Sequence, residues 1–188
     1  MNKIPEITVH GRFQPPLHVN HWNYINEGFN QAEHVTILIT NPYHDEIFEE
    51  TAAWRNDPDS NPFTYDERVY MFGQFFTFMG ISKDRYDFQP FNIKNDTAFG
   101  RLDKSVPNLV NIYSDWSSKK VALFREHGLP VIALKQASQK PVSGTMIRSI
   151  IKGTKPLELK QGLETAGFMP QAIPGLISVL ETRANSNS

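Results

Sequence analysis

The sequence of 188 residues contains no cysteine, so a disulfide scaffold, a thiolate zinc site and a cysteine nucleophile are excluded. It also lacks an apolar run long enough to span a membrane. The first nine residues include Lys3, Pro5 and Glu6, which is unlike a secretory signal. We therefore expect a cytoplasmic protein that has no membrane partner.

A strong charge of either sign is absent as well, because the formal net charge is only −1. Proteins that bind a nucleic-acid backbone usually carry a marked basic excess, so nucleic acid is not an expected partner. The sequence also contains no Walker A motif and no GxGxxG motif. A neutral chain can still build a local anion site from backbone N–H groups and one or two arginines.

Hydrophobic residues make up 39% of the chain, which is typical of a globular domain with its own core. We predict one domain over residues 1–183 and a disordered tail over 184–188. The apolar patterns predict strands that alternate with helices, and hence a parallel sheet with helices on both faces. The predicted strands cover residues 4–10, 34–40, 85–91, 108–113 and 130–134.

The helices are predicted from their periodicity and their end signals. Residues 19–29 form the first, and the capping box Thr64-x-x-Glu67 opens a second that Gly80 ends. A third covers 117–127, and a fourth begins after Ser143. Short helices broken by Pro170 and Pro174 are expected in the tail, and the polar stretch 41–62 has the length of a lid or binding loop.

The motif GRFQPPLHVNH, residues 11–21, lies where the first strand meets the first helix. Ligands bind at this edge in open α/β sheets, and Gly11 lets the backbone approach a ligand closely. His18 and His21 are three residues apart at a helix start, so both can face one side and donate hydrogen bonds to phosphate oxygens. Alternatives from the residues alone are a metal-binding pair, which needs a third ligand, or two ordinary surface histidines.

A second motif, SGTMIR over residues 143–148, opens a late helix. The hydroxyls of Ser143 and Thr145 and the unpaired N–H groups of the first turn suit phosphate oxygens. Arg148 lies one turn further on, and its planar fork suits phosphate as well. Taken alone, the motif is more typical of an N-capped amphipathic helix with a solvated arginine.

Residues 11–21 resemble the GRFQPFHxGH signature of the HxGH nucleotidyltransferase superfamily, in particular of its archaeal-type nicotinamide mononucleotide (NMN) adenylyltransferases. Residues 143–148 resemble its second signature, S/G-T-x-x-R, and residues 61–68 resemble its NPFT-x-x-ER stretch. The likeness covers roughly residues 7–180. It implies a Rossmann-like α/β fold with a short helical C-terminal part.

The resemblance implies an enzyme that moves a nucleoside monophosphate from a nucleoside triphosphate to a phosphate-bearing acceptor and releases pyrophosphate. It implies Mg²⁺ carried by the triphosphate, no metal site built from protein ligands, and no general base, because an acceptor phosphate is already ionised. A homo-oligomer is compatible with it. The implied catalytic residues are Arg12, His18, His21 and Arg148, and the implied nucleotide-binding residues are Gly11, Arg12, Phe13, Gln14, Asn20, Ser143, Thr145 and Arg148.

Two departures from the family pattern concern the substrates. Asn20 replaces the glycine of the HxGH tetrad, and residues 96–101 lack the tryptophan that stacks on nicotinamide in the family. Phe99 is a candidate substitute for that tryptophan. The candidate acceptor-binding residues are Trp54, Arg68, Phe99 and Trp116, although core packing is the commoner role for any tryptophan.

The favoured activity at this point is NMN adenylyltransferase, which makes NAD and pyrophosphate from ATP and NMN. The first alternative is a CTP-dependent cytidylyltransferase that acts on a phosphonate or another small phosphorylated metabolite. The second is a nucleotide-binding regulatory module without activity. A fragment of a class I aminoacyl-tRNA synthetase is disfavoured, because the chain is short, is not basic and lacks a KMSKS-like loop.

Overall fold

The computed structural model describes residues 2–42, 58–112, 114–135, 144–153 and 156–186. The strands are β1 (Ile4–Gly11), β2 (Ala32–Thr40), β3 (Tyr86–Phe91), β4 (Asn108–Asn111) and β5 (Val131–Leu134). The helices are α1 (Val19–Gln31), α2 (Tyr65–Phe78), α3 (Asp96–Gly100), α4 (Asp115–Glu126), α5 (Gly144–Gly153), α6 (Pro156–Thr165) and α7 (Ile173–Ser186). Among these residues no helix is long and apolar enough to cross a bilayer.

The five strands form one parallel sheet in the order β3-β2-β1-β4-β5, with β1 at its centre. The apolar, β-branched sequence of β2 fits a strand that is covered on both faces. On one face α1 packs closely, since a Cβ on Gly28 would lie 3.1 Å from Cγ1 of Val9. On the other face a cluster around Phe91 and Phe124 forms a core. The predicted α/β class with a Rossmann-like parallel sheet is confirmed.

The chain groups into two compact units, whereas the sequence predicts one domain. The first unit comprises Met1–Arg12, Asn23–Pro42 and Lys83–Pro141, and holds the sheet. The second comprises Phe13–Trp22, Tyr43–Ser82 and Val142–Ser188, and holds α2 and the three C-terminal helices. Each unit consists of several separate segments, because the chain passes from one to the other several times, and a linear scan of the sequence cannot detect such a division.

The ends of α2 follow the sequence prediction. Thr64 caps the helix, since its hydroxyl accepts from the N–H of Glu67 while the Glu67 carboxylate accepts from the N–H of Thr64. Gly80 then takes a φ of 70° just after the helix, and the N–H of Ile81 donates to the carbonyl of Phe76. The short helix α3 was not predicted, because its five residues are too few to show a period.

The tail differs from the prediction in two respects. Pro174 lies in the first turn of α7 and opens the helix rather than breaking it, because a first-turn proline gives up no helical hydrogen bond. The helix continues to Ser186, so residues 184–186 are helical and not a disordered tail. Arg183 holds the last turns in place, since its Nε donates to Oε1 of Glu67 at 2.6 Å.

Candidate active site

The first signature forms a tightly bent loop between β1 and α1. Phe13 and Leu17 have φ values of 50° and 72°, in the left-handed region that side chains other than glycine rarely adopt. Both side chains are buried, and the Phe13 ring packs edge-on against Phe72 at 5.2 Å and His21 at 5.0 Å. Such backbone strain persists only where packing enforces it, which is common at functional sites.

The Gln14 side chain holds the loop from within. Its amide nitrogen donates to the carbonyl of Phe63 at 2.6 Å, and its amide oxygen accepts from the N–H of Phe63 at 3.1 Å. Gln14 is 4% exposed, so both bonds are shielded from water. The glutamine of the first signature is thus paired with the Asn61–Thr64 stretch that the sequence analysis matched separately.

His18 and His21 lie together, as their spacing predicts. The two imidazole rings are stacked with centroids 3.6 Å apart and planes inclined at 26°. His18 is buried and His21 is half-buried. Two rings this close cannot both carry a positive charge without repulsion, so the arrangement favours a neutral partner.

The protonation state of His18 follows from its surroundings. Burial lowers its pKa from 6.5 to about 4, so the ring is neutral near neutral pH. Its Nδ1 accepts from the backbone N–H of His21 at 3.4 Å, and the ring thereby acts as the N-cap of α1. A neutral imidazole that accepts at Nδ1 carries its proton at Nε2. His18 therefore offers one fixed, uncharged N–H donor at the start of a helix.

The connection between α6 and α7 holds the backbone on either side of His18. Residue 168 forms an antiparallel bridge with His18. The N–H of Val19 donates to Gly167 at 3.0 Å, and the N–H of Met169 donates to Leu17 at 3.0 Å. The sequence analysis assigned no role to this turn, since nothing in residues 167–169 identifies a partner about 150 positions away. The imidazole is thus fixed by its backbone as well as by its ring.

Arg148 brings the second signature to the first. Its Nη1 donates to the carbonyl of Gln14 at 2.8 Å, and the side chain is 7% exposed. Burial lowers the pKa of this guanidinium, although arginine remains charged. A polyphosphate would offset the cost of removing that charge from water. A guanidinium and a neutral imidazole donor in one unit suit the stabilisation of charge on a reacting phosphate.

The other predicted nucleotide ligands are placed as follows. Gly11 is the last residue of β1, opposite Ile39, and Arg12 follows it as a half-buried side chain. Asn20 is half-buried in the first turn of α1. Thr145 belongs to α5, but its side chain, like Ser143, lies outside the described residues. The roles assigned to these residues remain predictions.

The structure describes three of the four candidate acceptor residues. Phe99 is 2% exposed and packs against Phe91 and Phe124, and one face of its ring is covered by His127 at 3.9 Å. Arg68 is fully buried in α2, and its Nε donates to the carbonyl of Thr64. Trp116 is half-buried in the first turn of α4, and Trp54 lies outside the described residues. Phe99 therefore belongs to the buried aromatic core of the first unit.

His10 is a polar residue that the sequence analysis left unassigned. It is 6% exposed on the central strand, one residue before the first signature, and its ring lies 4.8 Å from Phe124. Burial, and secondarily the charge of Lys120, hold its pKa well below 6.5. Its Nδ1 has no hydrogen-bond partner among the described residues. A histidine that follows the apolar Ile7 and Val9 and directly precedes Gly11 of the first signature was the available signal.

A resident metal would need several ligands from the protein. Within the described ranges there is no group of three or more His, Asp or Glu side chains that could hold an ion. The stacked pair His18 and His21 therefore does not belong to a described metal site.

Comparison with known proteins adds the following. No family model matches the chain. The phosphonoformate cytidylyltransferase of Streptomyces viridochromogenes is 33% identical over 152 residues, which cover 80% of this chain and 82% of that protein. Two solved structures of a bifunctional NMN adenylyltransferase/ADP ribose pyrophosphatase from Francisella tularensis have TM-scores of 0.57 and 0.59 at 17% and 16% identity.

Those solved structures cover 100% and 98% of this chain, which spans only 57% and 56% of their length. The likeness therefore concerns the fold. One of the two structures is a complex with AMP and a manganese ion. The identity to the cytidylyltransferase, in contrast, extends over most of both chains.

Proposed function

Because the chain belongs to the HxGH superfamily of nucleotidyltransferases, we propose that it transfers the cytidylyl group of CTP to a small phosphonate. Nucleotidyl transfer itself is the activity of this family. The relative that is 33% identical to this chain over 152 residues carries the name phosphonoformate cytidylyltransferase. A phosphonate of that size is the acceptor class we assign.

The closed surroundings of Phe99 carry the choice of a small acceptor. This residue occupies the segment where adenylyltransferases of the family stack a tryptophan on nicotinamide. Here the ring is 2% exposed and has His127 stacked on it at 3.9 Å. A nicotinamide ring would have to displace His127, which is itself bonded to Leu123 and Asp96. An acceptor without an aromatic ring needs no such platform.

The proposed reaction is a direct in-line displacement. A phosphonate oxygen of the acceptor attacks the α-phosphorus of CTP and forms a new P–O bond. The bond from the α-phosphorus to the bridging oxygen breaks, and pyrophosphate leaves with that electron pair. The attacking oxygen is already ionised near neutral pH, so no proton has to be removed and positioning does most of the work.

Two side chains supply the charge stabilisation in this proposal. His18 donates its Nε2–H to an oxygen on the reacting phosphorus, because Nδ1 is engaged by the N–H of His21. Arg148, anchored on the Gln14 carbonyl, holds the departing phosphates. His21 supports the orientation of His18 through their stacked rings. Mg²⁺ enters with the triphosphate as part of the substrate in this proposal.

The test measures pyrophosphate release with each pairing of CTP or ATP with phosphonoformate or NMN, at saturating Mg²⁺. We expect turnover with CTP and phosphonoformate, and at least a hundredfold lower kcat/KM with ATP and NMN, which corresponds to about 3 kcal/mol. Turnover only with ATP and NMN would overturn the assigned substrates and make the chain an NMN adenylyltransferase. No release with any pair would support the regulatory-module alternative.

A second test addresses the role of His18. We expect His18→Asn to lower kcat by roughly 100- to 1000-fold with a smaller change in the KM for CTP, since it removes a transition-state donor. Asparagine can still cap the helix, so the fold is retained. The matched control is His34→Gln, on β2, which should keep wild-type kinetics. Near wild-type turnover in His18→Asn would contradict the assignment.

A further inference from the structure

Lys94 and Trp116 lie at the start of α4, whereas Lys120 lies further along the same helix and His10 packs against its Phe124. The Nζ atoms of Lys94 and Lys120 each lie 5.7 Å from the centroid of the Trp116 ring. Because both ammonium groups lie 5.7 Å from the same point, they can be no further from each other than twice 5.7 Å. Lys120 also lies near enough to His10 for its charge to lower the pKa of that imidazole.

The register of the helix explains why these groups converge. Trp116, Lys120 and Phe124 are spaced by four residues along α4, so they lie on one face. Phe124 packs against His10 at the carboxyl end of the central strand. Ligands of parallel α/β sheets bind outside the carboxyl ends of the strands. The cluster therefore lies on the part of the first unit that is suited to a ligand.

Two buried polar atoms of this cluster have no hydrogen-bond partner among the described residues. They are Nδ1 of His10, whose side chain is 6% exposed, and Nε1 of Trp116. A buried polar atom without a partner is destabilising, so a native structure keeps one mainly where a ligand or water completes the bond. Both lie beside lysine side chains, and that combination favours an anion.

We infer that His10, Lys94, Trp116 and Lys120 form the pocket that binds the acceptor anion, with the two lysines facing its carboxylate and phosphonate charges. This inference depends on the proposed function, because it assigns the acceptor of that reaction to this pocket. Ammonium groups act as point charges and suit small multiply charged anions. The positive end of the α4 dipole adds to their attraction.

The remaining polar atoms complete the recognition. The indole Nε1 can only donate, and it would bond an acceptor oxygen. The neutral His10 ring offers one further hydrogen-bonding atom without adding a third charge. Asp115, the carboxylate in the first turn of α4, is exposed. The pocket thus combines charge for affinity with two directional bonds for orientation.

The principal test compares Lys120→Gln and Lys94→Gln with the control Lys119→Gln, which alters a neighbouring exposed lysine of α4. With CTP saturating, we expect the KM for phosphonoformate to rise roughly 10- to 100-fold in the two pocket variants. The KM for CTP and the melting temperature should stay close to wild type. An unchanged KM for phosphonoformate in both pocket variants would overturn the inference.

A binding measurement separates this inference from the proposed function. Calorimetry with phosphonoformate, inorganic phosphate and malonate, each without CTP, needs no turnover. Binding by the wild type that Lys120→Gln weakens and Lys119→Gln does not would support the pocket even if CTP is not the donor. No binding of any of these anions at millimolar concentration, or equal binding by all variants, would refute it.

His10 requires a variant that preserves the strand. His10→Gln keeps a hydrogen-bonding side chain, whereas His10→Leu keeps the volume and removes the polar atom. We expect His10→Leu to raise the KM for phosphonoformate several-fold more than His10→Gln does, with both variants folded by circular dichroism. If both variants bind phosphonoformate as tightly as the wild type, His10 has no part in the pocket.

Discussion

The buried histidine of the first signature should make the stability of the fold depend on pH. Burial holds the pKa of His18 at about 4, against 6.5 for an unperturbed histidine. Between these values the unfolded chain binds a proton that the folded chain does not, so the free energy of unfolding rises with pH. The stabilisation is complete above pH 6.5 and is lost as the pH falls toward 4.

The magnitude follows from the difference between the two pKa values. Each pKa unit corresponds to about 1.36 kcal/mol, so the full effect of His18 is roughly 3 kcal/mol. Between pH 7 and pH 4.5 the linkage relation gives about 2 kcal/mol of that total. His10, whose pKa is lowered by burial and by Lys120, adds to the loss in the same direction. A typical domain has only about 5–15 kcal/mol of stability, so the change is readily measured.

The assay is urea denaturation of the wild type and of His18→Asn at several pH values from 4.5 to 7.5. Asparagine keeps an acceptor for the N–H of His21 but does not titrate. The wild type should lose about 2 kcal/mol more than the variant on acidification. The half-buried His127 provides an opposite control, because its bond to the Leu123 carbonyl raises its pKa. The stabilisation from protonated His127 is fully present below the pKa that this residue has in the unfolded chain. It is lost as the pH rises through the higher pKa of His127 in the folded protein. Parallel pH profiles for the wild type and His18→Asn would show that His18 is not held neutral by burial.

Three further predictions concern packing and capping. Gly73→Ala should stabilise the fold by roughly 0.5–1 kcal/mol, because a Cβ at this position meets no atom within 4 Å. Gly28→Ala should destabilise the fold, because its Cβ would lie 3.1 Å from the Val9 side chain. Urea denaturation measures both effects. Thr64→Ala should cost about 1 kcal/mol by removing the cap of α2, and a loss below 0.3 kcal/mol would contradict that role. Phe99→Ala should cost roughly 3–5 kcal/mol in the same assay, as expected for a core residue, and a stable variant with a raised acceptor KM would instead restore the stacking role.

Local signals in the sequence predict the sheet and most helix boundaries. The β-branched run of β2 and the Thr64–Glu67 capping box can each be recognised from a few neighbouring residues. The juxtaposition of His18 and His21 follows from their spacing alone. Features that depend on distant partners could not be predicted. The last turns of α7 rest on Arg183, which bonds a glutamate 116 residues earlier.

The candidate acceptor-binding residues show a different limit of prediction from sequence. A phenylalanine that stacks on a ligand and one that fills a core have the same composition and similar neighbours in sequence. Only the tertiary contacts of Phe99 with Phe91, Phe124 and His127 distinguish the two roles. His10 presents the converse case, since a lone histidine in a buried strand is usually a satisfied core residue. That its Nδ1 has no hydrogen-bond partner among the described residues, and that the charge of Lys120 acts on it, become visible only in three dimensions.

The fold determines both the protonation and the orientation of the His18 imidazole, which is the donor in the proposed reaction. The same burial that lowers its pKa also keeps water from its Nδ1, so the bond from the His21 N–H determines which nitrogen carries the proton. The left-handed backbone at Leu17 and the bridge to residue 168 determine where that nitrogen points. A more exposed histidine would titrate near neutral pH and would donate from either nitrogen. In the proposed reaction, the strain in the loop and the desolvation of the imidazole are therefore costs of presenting one oriented, uncharged donor to a phosphate.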